Sequence, residues 1–304
     1  MSESLRTVDG RQVLRIERRL PHSPQKVWRA VTEPAHLSQW YPFRAEELDL
    51  SIGGRIRFDD GQGTSYDAVV TALDPPRLFA FSEHPPPVMT RESDDLIQFE
   101  LRPDGDGCVL VFTHVFDDRP AAASYATGWF GCLAALEPVL DGKPAEWPPM
   151  SVRRYESYVQ AFGLAQGVAE TTDDGWVVRY ERQLMSQPPD RVWATLNGID
   201  AESPDGTQPS PTVGAPPPAA FTTDEIPSGY VTAVDAPTVL EYAWQHDGRP
   251  AGSVRWELST GPGGARIIVS QSGPGDLGDA RACALAAWPR HVERLVERLV
   301  HTDD

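Results

Sequence analysis

The chain has 304 residues, with 27 Lys and Arg against 44 Asp and Glu, and its formal charge of −17 is shared by both halves. That balance offers no electrostatic footprint for a polyphosphate or an anionic bilayer, which argues against nucleic-acid and membrane partners. A hydrophobic share of 40% and an aromatic share of 9% support packed cores rather than global disorder.

In chain order, Val13 to Leu20 mixes apolar and charged residues as a strand does, and Ser23-Pro24 then supplies an N-cap and a first-turn proline for a helix through Val27, Trp28 and Val31. Pro34 ends or kinks that helix. Strand-like runs follow at Glu46–Ile52, Arg55–Phe58, Ser65–Leu73, Leu78–Ser82, Leu96–Arg102 and Cys108–Phe116. Turn chemistry separates them: Gly53-Gly54, Gly61-Gln62-Gly63, Asp74-Pro75-Pro76 and Asp104-Gly105-Asp106-Gly107. A long helix is expected from about Ala121 to Leu140, with Trp129, Leu133, Leu136 and Leu140 on one stripe, and a further helix from about Ser151 to Phe162.

The same order then recurs. Leu14-Arg15-Ile16-Glu17-Arg18-Arg19-Leu20 returns as Val178-Arg179-Tyr180-Glu181-Arg182-Gln183-Leu184, and Val27-Trp28 as Val192-Trp193. Val70 to Pro76 answers to Val231 to Pro237, Phe99-Glu100-Leu101 to Trp256-Glu257-Leu258, and Trp129, Leu133, Leu136 and Leu140 to Trp288, Val292, Leu295 and Leu299. Five anchors in one order define two homologous domains, 1–165 and 174–304, joined by the small, polar and acidic stretch Ala165 to Gly175. Each reads as α+β: a strand, a helix, a run of antiparallel strands and one long C-terminal helix whose apolar stripe needs the sheet to bury it.

At these residues the sequence resembles the START-like (SRPBCC) superfamily with its helix-grip fold, a curved antiparallel sheet wrapped on a long C-terminal helix. Within it the first copy looks like the branch of heat-shock-protein-90 ATPase activator homologues. The resemblance rests on Val27-Trp28-Arg29-Ala30-Val31-Thr32-Glu33-Pro34, Gln39-Trp40-Tyr41, Gly53-Gly54-Arg55-Ile56-Arg57-Phe58, Leu73-Asp74-Pro75-Pro76-Arg77-Leu78, Thr113-His114 and Gly128-Trp129 through Leu140-Asp141-Gly142. It covers nearly all of residues 11–142 and speaks for the fold more than for any activity. The second copy departs from it: Ala201-Glu202-Ser203-Pro204-Asp205-Gly206-Thr207 stands where the first has His36 to Tyr41, and Pro209, Pro211 and Pro216-Pro217-Pro218 make a loop or extended insertion. The second copy is therefore read as a degenerate structural partner, with any ligand site in the first.

In helix-grip folds the pocket lies between sheet and long helix. Resemblance and periodicity together nominate Trp40, Tyr41, Phe58, Tyr66, Phe81, Phe99, Phe112, His114, Trp129 and Leu133 as its lining, the alternative being a plain aromatic core. His114 shares strand parity with Leu110, Phe112 and Phe116, so its imidazole faces an apolar setting. There it is either a ligand contact and acid or base, or a histidine satisfied by the protein, and its counterpart in the second copy is Gln271. Glu100 and Glu257 recur in both copies, which points to a shared pairing with arginine. Strand Cys108–Phe116 is apolar at both parities, so its outer face is expected to be covered by the sister domain or a second chain. Gly273-Pro274-Gly275-Asp276-Leu277-Gly278 matches GxGxxG but lacks the following strand and acid of a dinucleotide site.

Cys108, Cys132 and Cys283 lack metal-ligand spacing, and neither a signal-type apolar segment nor a run of about 18 apolar residues is present. The leading expectation is a cytoplasmic, cofactor-free and metal-free protein that binds a small apolar or aromatic molecule in its first domain. Two others stand beside it. One is an enzyme of cyclase, dehydratase or hydrolase type with His114 as acid or base and Tyr41 or Tyr66 as helper. The other is a chaperone-associated module with a protein partner or a homodimer. The family's chaperone-stimulating members in eukaryotes rely on an additional N-terminal domain, whereas here the first domain begins almost at Met1.

Overall fold

The computed structural model describes residues 2–61, 63–84, 93–198 and 210–301. The chain divides into two compact units, Met1–Arg154 and Tyr155–Asp304. The sequence places the join later, at 165–175. That stretch holds a strand, Val168–Thr172, because its alternation of Val168, Glu170 and Thr172 meets the edge of the second sheet. The short helix Val152–Ala161, expected to close the first copy, gives its Tyr155 to the second unit, where the phenol donates to the Gln183 carbonyl over 2.6 Å.

Unit 1 is an antiparallel sheet of eight strands. They are β1 (Ser2–Val8), β2 (Arg11–Leu20), β3 (Arg44–Leu48), β4 (Arg55–Asp59), β5 (Ser65–Asp74), β6 (Leu78–His84), β7 (Asp95–Asp104) and β8 (Gly107–Phe116), in the order β1-β2-β8-β7-β6-β5-β4-β3. Helices α1 (Pro24–Thr32) and α2 (Pro34–Trp40) separate β2 from β3, and α3 (Ala122–Leu140) follows β8. The start of α1 follows the sequence: the Ser23 hydroxyl accepts the Lys26 N–H and Pro24 opens the first turn. Pro34 both ends α1 and begins α2, because the residue before a proline is driven out of the helical region, and Glu33 sits at φ −87°, ψ 121°. β3 lies earlier than the expected Glu46–Ile52, since Asp49 to Gly54 folds into a tight turn. A Cβ on Gly54 would run into the carbonyls of Asp49 and Ser51, and Ile52 projects outward at 72% exposure.

Unit 2 repeats the plan with six strands: β9 (Val168–Thr172), β10 (Gly175–Gln183), β11 (Ser228–Asp235), β12 (Val239–His246), β13 (Arg249–Gly261) and β14 (Gly264–Gly273), in the order β11-β12-β13-β14-β10-β9. Helix α4 (Val152–Ala161) precedes β9, α5 (Pro189–Leu196) follows β10, and α6 (Gly278–His301) follows β14. Strand for strand the order matches β5-β6-β7-β8-β2-β1, so among the described residues unit 2 keeps the helix-grip frame without counterparts of β3 and β4. The departure at Ala201 to Thr207 and Pro209 lies outside the described residues. Pro211 and Pro216 to Pro218 lie in a segment without helix or strand.

On the outer face of β8 charged side chains flank the apolar ones. Val111 pairs with Glu17 on one side and Glu100 on the other. Arg15 binds Glu17 and Arg102 binds Glu100 (2.8 Å), and Val111 lies buried beneath these side chains. Long charged side chains cover apolar surface with their stems while their heads stay in water. Glu257 likewise faces Arg255 (3.3 Å) in unit 2.

Candidate functional site

The register of unit 1 puts Leu14, Ile16, Phe58, Val70, Phe79, Phe81, Ile97, Phe99, Leu110, Phe112 and His114 on one sheet face, because partners directly opposite each other share a face. Helix α3 lies on that face through Trp129, whose ring centroid is 4.2 Å from that of Phe112. The residues named from sequence come together there. Tyr41 stacks on Phe58 (5.0 Å) and touches Trp129 (5.6 Å) and Phe81 (6.3 Å). Phe58 stacks on Tyr66 (5.2 Å), and Phe99 meets Phe112 (5.4 Å) and Trp40 (5.8 Å). Leu133 is buried one turn beyond Trp129 on α3. Trp40 is also a tie between helices, its indole N–H donating to the Ala30 carbonyl at 2.9 Å. The rings pack on one another, with Phe43 and Tyr66 half-buried at the margin and 4.9 Å apart.

Inside this shell lie two carboxylates that the sequence reading missed. Glu83 and Asp95 stand opposite each other on β6 and β7, and both are buried. Glu83 Oε1 accepts the Tyr41 hydroxyl at 2.6 Å and the Tyr66 hydroxyl at 3.1 Å. Burial first, and then the Glu83 charge, raises Tyr41 well above the usual phenol range, so it remains a donor. Cys132 is a further buried neighbour, its thiol pushed up to about 12 by burial, and it acts as an apolar wall.

Asp95 Oδ2 is 2.9 Å from His114 Nε2, and Trp129 Nε1 is 3.2 Å from His114 Nδ1. An indole N–H only donates, so Nδ1 accepts, and the single ring proton resides on Nε2 and is donated to Asp95. His114 is thus a neutral imidazole with both nitrogens engaged. Asp95, His114 and Trp129 form one relay beside the Tyr41–Glu83–Tyr66 group. A parity signal was available for the two acids: Glu83 follows Phe79 and Phe81 at the strand period, and Asp95 precedes Ile97 and Phe99. Ending the strands at Ser82 and Leu96 hid it.

Unit 2 fills the same place differently. By the repeat anchors Glu83 corresponds to Trp244 and Asp95 to Gly252, and these two are again paired across neighbouring strands. Trp244 donates to the Ser272 carbonyl at 2.7 Å. A Cβ on residue 252 would stand 2.7 Å from that indole nitrogen, so the ring occupies the space an aspartate side chain would need. Gln271 replaces His114 and accepts the Trp288 indole N–H at 2.7 Å, as His114 accepts that of Trp129. The indole-to-strand hydrogen bond therefore belongs to the frame, whereas the two acids belong to unit 1 alone. On the opposite face of the first sheet, a groove of about 340 Å³ is lined by Ser2, Glu17, Arg19, Arg102 and Val109, which are charged and polar apart from the valine.

Among the described residues no cluster of His, Cys, Asp and Glu could hold a metal ion, and no helix is long and apolar enough to cross a membrane. Residues 21–141 match the family model described as Activator of Hsp90 ATPase homolog 1-like protein. No curated protein matches the chain. Among solved structures, a Mesorhizobium loti protein is 25% identical over 43% of this chain and 97% of its own, with a TM-score of 0.38. CalU16 from Micromonospora echinospora is 20% identical over 53% and 94%, at 0.42. DynU16, from the dynemicin biosynthetic locus, is 19% identical over 94% and 98%, also at 0.42.

Proposed function

We propose that unit 1, a helix-grip domain of the Activator of Hsp90 ATPase homolog 1-like family across residues 21–141, binds a small apolar or aromatic molecule between its sheet and α3. The observation that carries this reading is the contrast between the units. Burying carboxylates is costly, and the frame does not need them, because unit 2 closes the same place with an indole and a glycine. A few polar groups converging inside an aromatic enclosure are the ordinary make-up of a ligand site. In this reading Tyr41, Phe58, Phe81, Phe99, Phe112, Trp129 and Leu133 form the body of the site, Trp40 backs it, and the half-buried Tyr66 with Phe43 is the margin that swings out to admit the ligand. His114 serves as a positioning group that holds Asp95 and Trp129, since neither of its nitrogens is left to act as acid or base.

Native mass spectrometry of the full chain purified without detergent, followed by denaturation and analysis of what is released, tests this. The expected result is a discrete apolar or aromatic mass at one per chain, or, for an empty preparation, saturable quenching of tryptophan fluorescence by N-phenyl-1-naphthylamine at one site. The absence of both release and quenching would overturn it, and two equivalent sites would overturn the assignment to unit 1.

A further inference from the structure

We infer that unit 2 binds one neutral oxygen from outside the chain, that of a water molecule or of a small carbonyl compound, between the side chains of Trp176 and Gln271. This is independent of the binding reading for unit 1.

Trp176 and Gln271 are buried, at 2% and 0% exposure, and among the described residues neither the indole nitrogen nor the amide nitrogen has a hydrogen-bond partner. Turning the Gln271 amide round does not relieve this. Its oxygen accepts the Trp288 indole N–H at 2.7 Å, and an indole nitrogen only donates, so the amide nitrogen is fixed as the other end. The two donors are neighbours on the inner face of the sheet. Trp176 pairs with Gly273 and Gln271 with Val178, which makes them diagonal positions on β10 and β14, with Cβ atoms about 7–8 Å apart. The indole lies on the Gly273 backbone, where a Cβ would stand 2.3 Å from Cζ2 and 2.7 Å from Cε2, the carbon that carries the nitrogen. One oxygen accepts two N–H groups across such a span.

Unit 1 shows what an acceptor does there. His114, the counterpart of Gln271, has Asp95 Oδ2 at 2.9 Å, and Gln12, the counterpart of Trp176, accepts Arg119 at 3.0 Å. Unit 2 has Gly252 in place of Asp95, so the relay keeps its donor and loses the acceptor. A buried donor left unpaired forfeits its hydration with nothing in return, and folded proteins rarely leave one so. Both donors are uncharged and suit a neutral oxygen, whereas a carboxylate would surrender its hydration for neutral bonds. The Trp244 ring, 6.0 Å from that of Trp176 between centroids, walls the place and keeps the occupant small.

The test is heteronuclear NMR on the full chain, isotope-labelled at tryptophan and glutamine, with water and acetone as the two probes. The Trp176 indole proton is assigned by its loss in Trp176→Phe. Two results support the inference. In one, the indole proton and the Gln271 amide protons both give a cross-peak to a long-lived water that acetone leaves in place, and the Gln271 cross-peak weakens in Trp176→Phe. In the other, both groups shift along one saturable acetone curve, and Trp176→Phe weakens acetone binding about fivefold, the loss of one neutral hydrogen bond. The first makes the occupant water, the second a carbonyl compound. Contact with water or acetone at only one of the two donors overturns the inference. So does contact at neither, or a scalar coupling from either donor to a protein carbonyl. If Trp176→Phe does not fold by circular dichroism, the wild-type spectra decide. Gln271→Glu, which keeps the oxygen for Trp288 and removes the donor, then assigns the Gln271 resonance.

Discussion

Replacing Arg182 by alanine is expected to destabilise unit 2 by about 3–5 kcal/mol, the cost of breaking a buried ion pair from one side. Arg182 is 1% exposed and lies on β10. It donates to Glu293 on α6 at 2.8 Å, to Glu156 on α4 at 2.5 Å and to the Gln183 carbonyl at 2.8 Å, so it ties one strand to two helices. Tyr180 adds its hydroxyl to Glu293 at 2.6 Å. Removing the guanidinium leaves two glutamates facing the gap, and burial already raises Glu156 against the pull of Arg182. The corresponding Arg18 of unit 1 donates to the Phe130 carbonyl at 3.4 Å and meets Glu137, which is half exposed, at 3.5 Å, so Arg18→Ala should cost less, about 2 kcal/mol, in the range of hydrogen bonds to a charged group. Urea unfolding of the full chain checks both, followed with probes in each unit because two units need not unfold in one step. Equal losses for the two arginines would contradict the ranking.

Asp95→Ala should cost unit 1 about 2–3 kcal/mol, whereas His114→Gln should cost under about 1 kcal/mol. Alanine leaves the His114 Nε2–H buried without its acceptor. Glutamine keeps both halves of the relay, an oxygen for the Trp129 indole and an amide N–H for Asp95, and Gln271 already makes the first of these bonds in unit 2. Asp95→Asn, which retains an acceptor but loses the charge, should fall between them. The unfolding midpoint of unit 1 gives the order. A His114→Gln loss as large as that of Asp95→Ala would mean that the imidazole does something glutamine cannot, and would restore it as a candidate acid or base.

Much of the frame was legible in the residues. The Ser23-Pro24 start of α1, the strands ending at Leu20 and Phe116, the long helix with Trp129 on its sheet face and the order of the second copy all follow from period, capping and turn chemistry. The polar strand β1 was not read, although Asp9-Gly10, at φ 49° and 83°, is a two-residue hairpin turn that pairs Ser2–Val8 with β2. A strand of serine, glutamate and arginine at a sheet edge carries no apolar alternation to reveal it. The strand-borne rings of the candidate site, Phe58, Tyr66, Phe81, Phe99 and Phe112, were readable because each keeps strand parity with its neighbours. The acids were not, because they lie at the strand ends where charge is ordinarily solvated. What decides their role is the register that puts Glu83 opposite Asp95, a long-range relation that one strand at a time does not contain.

That register also supplies the most direct test. In Glu83→Trp, Asp95→Gly, His114→Gln, unit 1 receives the residues with which unit 2 closes the same place. The variant should remain folded, with a thermal midpoint near that of the wild-type chain, and should lose the single site for 2-naphthol and N-phenyl-1-naphthylamine. A folded triple variant that still binds either probe at one per chain with wild-type affinity would contradict the assignment of the ligand site to the interior of unit 1.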